Sequence, residues 1–320
     1  MSLKIRWIAA AAWLACAPTA YAATFTVGDV FASVGNGKVD VYSKTGVFKT
    51  TLDTTLGGFT TGSTFDAAGN FYVTAFTANK VSKFDANGNL VNSSWTVGLG
   101  SNESIVFDKA GNAYVGNAGA QQILKVDAAG THLATYNVQS NTDWIDLAAD
   151  QKTMIYSDES STIRRFDVSA NTALANFATG SGPFFAKRIR PNGDVMVASG
   201  SGNVYRFDST GALVQTYASG IGGVFALNLD PDGTSFWTGA TGGTAIREFN
   251  IATGALEQSW NTNPGTLFGL AVLGEIQAGG GGVVGAVPEP ETYALMLAGL
   301  GVLGAVARRR KLQQAKPTSA

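Results

Sequence analysis

From Val30 to Leu273 the chain alternates short apolar runs with turns rich in Asp, Asn and Gly, and the runs recur with a nearly fixed period. Asp66-Ala67-Ala68-Gly69-Asn70-Phe71-Tyr72-Val73 returns 42 residues later as Asp108-Lys109-Ala110-Gly111-Asn112-Ala113-Tyr114-Val115. Counterparts start at Asp150, after another 42 residues, and at Arg190 and Asp230, after 40 each. A second marker runs in phase: Val81-Ser82-Lys83-Phe84-Asp85, Ile123-Leu124-Lys125-Val126-Asp127, Ile163 to Asp167, Val204 to Asp208 and Ile246 to Asn250. The runs are short, alternate with a period of two and lack the 3.6-residue spacing of helices. The Asp-x-x-Gly connections suit a type I turn followed by a left-handed glycine. Four short strands in about 40 residues predict a β-propeller blade.

Five complete units begin near Thr64, Ser104, Ile145, Ala186 and Ala226. Two fragments remain. Leu267 to Leu273 reads as a first strand with nothing after it, and Asp29 to Leu52 as three strands with nothing before them. Joined, they complete a sixth blade. The expected fold is all-β: a six-bladed propeller over residues 23–275, closed by pairing of its N- and C-terminal strands, which removes free sheet edges.

Both ends of the chain carry targeting patterns. Lys4 and Arg6 precede an apolar run from Trp7 to Ala17, and Ala20-Tyr21-Ala22 is a small-x-small cleavage site, so residues 1–22 read as a signal peptide. A lipoprotein signal ending at Cys16 is the alternative, although Leu14 stands one place from where a lipobox needs it. Cys16 is the only cysteine; once it leaves with the signal, the exported body has no disulfide. At the other end a glycine-rich linker is expected over 276–286, followed by Val287-Pro288-Glu289-Pro290. The apolar run Tyr293 to Ala307 would rise about 22 Å as a helix, short of the roughly 30 Å hydrocarbon core. Arg308, Arg309, Arg310 and Lys311 can snorkel to extend it and mark the cytoplasmic side, with 312–320 as a cytoplasmic tail. A buried core helix is the other reading of an apolar run of this length.

A rigid acidic-proline box, a short apolar helix and a basic stop, in that order at the end of the chain, resemble the PEP-CTERM sorting tail of Gram-negative bacteria. The resemblance covers 287–311. It implies an exosortase that recognises Pro288, Glu289 and Pro290 as substrate residues. It implies transient anchoring in the inner membrane through 293–307 and removal of that helix. It also implies release or attachment at the cell surface, often amid exopolysaccharide.

Between the two signals, residues 24–287 hold 15 basic and 21 acidic residues, formally −6. No basic stripe is present, so nucleic acid is not expected as a partner. The Asp-x-x-Gly turns lack the longer ligand run and distal glutamate of the calcium helix-loop-helix motif, and read as Asx-capped hairpin turns. His132, the only histidine, falls at a blade rim and cannot build a multi-histidine zinc site.

Propeller ligands usually sit at the mouth of the central channel. The residues leading into each first strand are Thr61, Glu103, Ile145, Phe185, Phe225 and Phe268; those leaving the second strand are Ala75, Asn117, Asp158, Ser199 and Gly239. The repeat grammar resembles that of NHL-type and gluconolactonase-type propellers. That resemblance implies a divalent metal such as calcium at Glu103, Asn117 and Asp158, with Asp143 and Asp146 as nearby alternatives. The other mouth positions are mainly apolar, which favours packing over metal chemistry. Trp144, Phe184, Phe185, Phe225, Trp237, Trp260 and Phe268 could form a sugar-stacking surface or the blade cores, with Trp237 assigned to core. The expectation is an exported, monomeric, non-enzymatic binding or scaffold module without a cofactor, associated with exopolysaccharide; a metal-dependent hydrolase or lactonase is the alternative.

Overall fold

The computed structural model describes residues 25–97, 100–263 and 265–281. The expected signal peptide, the sorting tail and its apolar run 293–307 lie outside the described residues. Among the described residues no helix is long and apolar enough to cross a membrane.

Six antiparallel four-stranded sheets form the six blades. Blade I is built from both chain ends: Val30, Phe31, Ala32 and Ser33 pair with Val272, Ala271, Leu270 and Gly269. Its inner strand is therefore Gly269–Val272. The inner strands of blades II to VI are Thr60–Phe65, Asn102–Phe107, Trp144–Leu147, Phe184–Ile189 and Val224–Leu229. This is the closure expected from the two fragments.

Burial grades outward within each blade. The first two strands of blade II are buried throughout, whereas its outermost strand, Leu90–Val97, is mostly exposed or half-buried. Apolar layers fill the spaces between blades; Phe31, Phe65, Phe71 and Phe84 share one such layer. Adjacent inner strands come very close. A β-carbon at Gly62 would overlap Glu103 O, and one at Gly269 would overlap Thr61 O. Glycine at these two sites lets neighbouring backbones touch around the channel.

The turns behave as Asx caps. Asp66 Oδ1 accepts from the Ala68 and Asn70 amides, at 2.9 Å each, and Oδ2 accepts from Asn70 Nδ2 and Tyr72 Oη. Gly69 follows at φ 83°, where a side chain would be strained. These turns join first to second strands and third to fourth strands, so they gather on one end of the propeller, its base. The opposite end is the mouth.

Of the glycine-rich linker expected over 276–286, residues 282–286 lie outside the described residues, and 276–281 lie folded across the base. Gln277 Nε2 donates to Thr64 Oγ1 at 2.7 Å, and Gln151 Nε2 donates to Gly279 O at 2.6 Å. The glycines there serve close approach. A β-carbon would strike Leu147 at Gly279, Lys109 at Gly280, and Phe107 at Gly281.

Candidate functional site

Four inner strands carry an extra residue where they begin. Pairing with the second strand slips by one between Thr60 and Ser63, Asn102 and Ser104, Phe184 and Lys187, and Val224 and Ala226. Such bulges re-aim side chains. They fall at Thr61, Glu103, Phe185 and Phe225, the positions expected at the mouth. The inner strand of blade IV pairs without a slip, Trp144 with Ser157 and Ile145 with Tyr156. Ile145 is consequently a core residue, 1% exposed, and the mouth positions of that blade are Asp143 and Trp144.

The mouth has two chemical sides. On one, Phe225 meets Trp144 edge-to-face with ring centroids 5.2 Å apart and Phe185 at 4.9 Å. On the other sit buried acids. Burial drives the Glu103 carboxyl well above its usual range, and the negative charges of Asp143 and Glu159 push it further. Burial, with Glu159, raises Asp143 to about 7. Lys187, completely buried, is pushed down to about 7 by burial, with Asp146 and Asp143 pulling it back. Its ammonium donates to Trp144 O at 2.7 Å and Ser157 Oγ at 2.6 Å. Deeper in, Asp146 Oδ2 accepts from the Ile189 amide at 2.7 Å; burial raises this acid to about 6, against the pull of Arg188.

Of the three residues proposed for a metal, only Glu103 faces this acid group without another partner fixing it. Asn117 Oδ1 accepts from the Gly119 amide at 2.9 Å. Asp158 Oδ1 is held by Ser160 Oγ at 2.5 Å and by Arg164 Nη1 at 2.9 Å. The charges that act on Glu103 come from Asp143, Glu159 and Lys187. A divalent ion would have to displace an arginine and share the site with a lysine, so these donors do not fit one as a set. Among the described residues, the carboxylates that converge within 4.8 Å are Asp230, Asp232 and Glu248. Lys44 already reaches in from blade I, 3.0 Å from Asp230 and 2.9 Å from Glu248. That cluster is an inter-blade clasp.

Sequence reasoning missed Glu159 and Lys187. The available signal was Lys187-Arg188, two adjacent cations in the middle of an inner strand, where the aligned pairs Ser63-Thr64, Ile105-Val106, Ile145-Asp146 and Leu227-Asn228 carry no cation. Also missed were buried polar groups without partners near the mouth: both amide atoms of Asn102, Asn117 Nδ2 and Trp144 Nε1.

The aromatic candidates separate by burial. Trp237 is core, 0% exposed, with Nε1 donating to Asp230 Oδ2 at 2.8 Å. Phe184 is core as well, and Trp260 packs at a tilt between Tyr42 and Trp237. Phe268 instead meets Phe59 with ring centroids 4.5 Å apart, and Phe59 is 47% exposed. The pair lines a cleft of about 390 Å³ at the mouth end of blade I, together with Lys38, Asp40 and Thr51. Asp40 Oδ1 accepts from Thr51 Oγ1 at 2.6 Å. His132 is exposed, its ring beside Thr135 Oγ1 at 2.9 Å.

Residues 286–311 match the family model of the PEP-CTERM protein-sorting motif. The chain carries a PEP-CTERM sorting signal, which implies export and processing by a membrane-anchored exosortase. No curated protein matches the chain. Among solved structures, the body is similar to the WD40 beta propeller domain of Doa1. The TM-score is 0.60 at 14% identity, over 76% of this chain and 81% of that one. At that identity the likeness speaks to the fold alone. Neither match picks out an NHL or gluconolactonase subtype.

Proposed function

We propose that the chain is an exported, exosortase-processed propeller that binds polysaccharide at the cell surface through its mouth face and performs no chemistry of its own. The sorting motif directly after the propeller supports export. The observation that carries the ligand class is the Phe59–Phe268 pair, a partly exposed aromatic wall that lines one cleft with Lys38, Asp40 and Thr51. Aromatic faces take the apolar faces of sugar rings, and the polar wall supplies donors and acceptors for hydroxyls. The body's net negative charge fits a neutral or cationic glycan better than a polyanion.

Two measurements test this reading. Replacing Pro288, Glu289 and Pro290 together should leave unprocessed chain in the membrane fraction; normal release would remove the sorting role. Released wild-type protein should be retarded by the producer's own polysaccharide in affinity electrophoresis. Phe59→Ala and Phe268→Ala should each weaken retention about tenfold. No retention of wild type would sink the ligand class. Calcium-dependent lactone hydrolysis lost in Glu103→Gln would replace binding with the hydrolase alternative.

A further inference from the structure

The segment after the last strand behaves as a strap. From Leu273 in blade I it crosses the base and reaches the other five blades in eight residues. The Glu275 carboxylate takes Arg188 Nε of blade V at 2.6 Å, and Asn228 Nδ2 and the Leu229 amide of blade VI at 2.9 Å each. Gln277 bonds to Thr64 of blade II, and Ala278 packs against the apolar layer holding Ile155 and Ile189. Gly279 lies against Leu147 of blade IV, Gly280 against Lys109 of blade III, and Gly281 against Phe107 and Phe65. Glu275 is 3% exposed and Arg188 5%.

We propose that this strap makes the base the face held towards the membrane during processing, so that the mouth and the Phe59–Phe268 cleft point away. The inference rests on the sorting-tail part of the function above and is independent of any ligand. Its basis is reach. From Gly281 to Pro288 is seven residue steps, at most about 25 Å of chain. Twelve steps reach Tyr293, at most about 43 Å. Four strands about 4.8 Å apart span about 14 Å from inner to outer edge, and six-residue strands stand about 20 Å tall. Turning the mouth to the bilayer would require the tail to run out to the rim and up the full height, about 34 Å. That takes about four-fifths of the fully extended length of the tail. Because the strap binds five blades, the tail leaves the body from a fixed point on the base.

The test uses full-length chain in cells lacking the exosortase. The only native cysteine, Cys16, belongs to the predicted signal peptide, so single cysteines can be placed at will. Ala67→Cys and Ala110→Cys label exposed base turns; Asn141→Cys and Ser181→Cys label exposed loops on the mouth side. Each is coupled to a fluorophore in membrane vesicles doped with a headgroup-quencher lipid. Base labels should be quenched severalfold more than mouth labels. A flexible insertion of about twenty residues after Gly281 should abolish the difference. Chain found free of the vesicles would defeat the sorting-tail reading itself. Membrane-bound chain with equal quenching at the two faces, or stronger quenching at the mouth, would overturn the orientation alone. A base preference that survives the insertion would overturn the strap as its cause.

Discussion

Glu275 Oε1 lies 2.6 Å from Arg188 Nε, an ion pair in which both side chains are almost fully buried. It joins the strap to an inner strand 87 residues earlier. The paired carboxylate holds the guanidinium in its charged form against the burial that opposes it. Removing Glu275 takes from the buried guanidinium its direct ion-pair partner and leaves only the more distant Asp146. Glu275→Ala should therefore cost about 3–5 kcal/mol, read as a lower urea midpoint at unchanged slope. Glu275→Leu combined with Arg188→Met should cost less than Glu275→Ala alone, because it removes both charges and keeps the volume.

The strap also resets where the folded unit ends. A chain stopped after Gly281 should be secreted, soluble and as heat-stable as the processed protein. A chain stopped after Leu273 should lose the Glu275 and Gln277 contacts together and melt at a clearly lower temperature. Equal melting temperatures for the two truncations would reduce the strap to a surface ornament.

The acids near the channel predict an unusual pH profile. Glu103, Asp143 and Asp146 keep protons in the folded state that an unfolded chain gives up near pH 4. Their contribution is complete below that pH. It is lost as pH rises through about 6 for Asp146 and about 7 for Asp143. Thermal stability should fall between pH 5 and pH 7, by at most about 1.4 kcal/mol per pH unit for each proton released. Lys187 works in the opposite sense above pH 7, where the folded state has shed a proton that the unfolded chain retains to about pH 10, so stability should recover there. Glu103→Gln should flatten the acid-side fall. A melting temperature independent of pH from 5 to 7 would contradict this account of the cluster.

Lys44 predicts the response to divalent metal. Its ammonium already neutralises Asp230 and Glu248, with Asp232 3.7 Å away. Millimolar calcium or a chelator should leave the melting temperature of the processed protein unchanged. Lys44→Met should destabilise the protein, and more at pH 8 than at pH 5. Burial lifts Glu248 to about 7, so at pH 5 it is protonated and the repulsion is relieved. A calcium-dependent rise in the wild type would reopen a metal role.

Much of the fold is legible because it is local. Alternation within Val81–Phe84 or Ile123–Val126 reports one strand, and Asp66 followed by Gly69 reports one turn. Repetition of these markers at 40 or 42 residues reports one blade. Even the closure of blade I can be read, because a strand lacking followers and three strands lacking a leader complete each other. The mouth was half legible. Thr61, Glu103, Phe185 and Phe225 follow from counting, but Ile145 does not, since counting cannot see that its strand lacks the bulge. Asn117 and Asp158 had the right residue types, yet Gly119, Ser160 and Arg164 engage them within their own blades.

By itself the sequence determined the blade count, the turn chemistry, the closure and the sorting signal, because each depends on residues close in the chain or on a simple period. Only the tertiary structure decided that Lys187 joins Glu103 and Asp143, that Phe59 pairs with Phe268, and that Glu275 seats on Arg188. Those relationships set burial and charge between residues from 44 positions apart, Asp143 and Lys187, to 209, Phe59 and Phe268. Glycines 279–281 show the difference most plainly. Composition makes them a flexible spacer; the backbone laid over Leu147, Lys109 and Phe107 makes them the residues small enough to lie there.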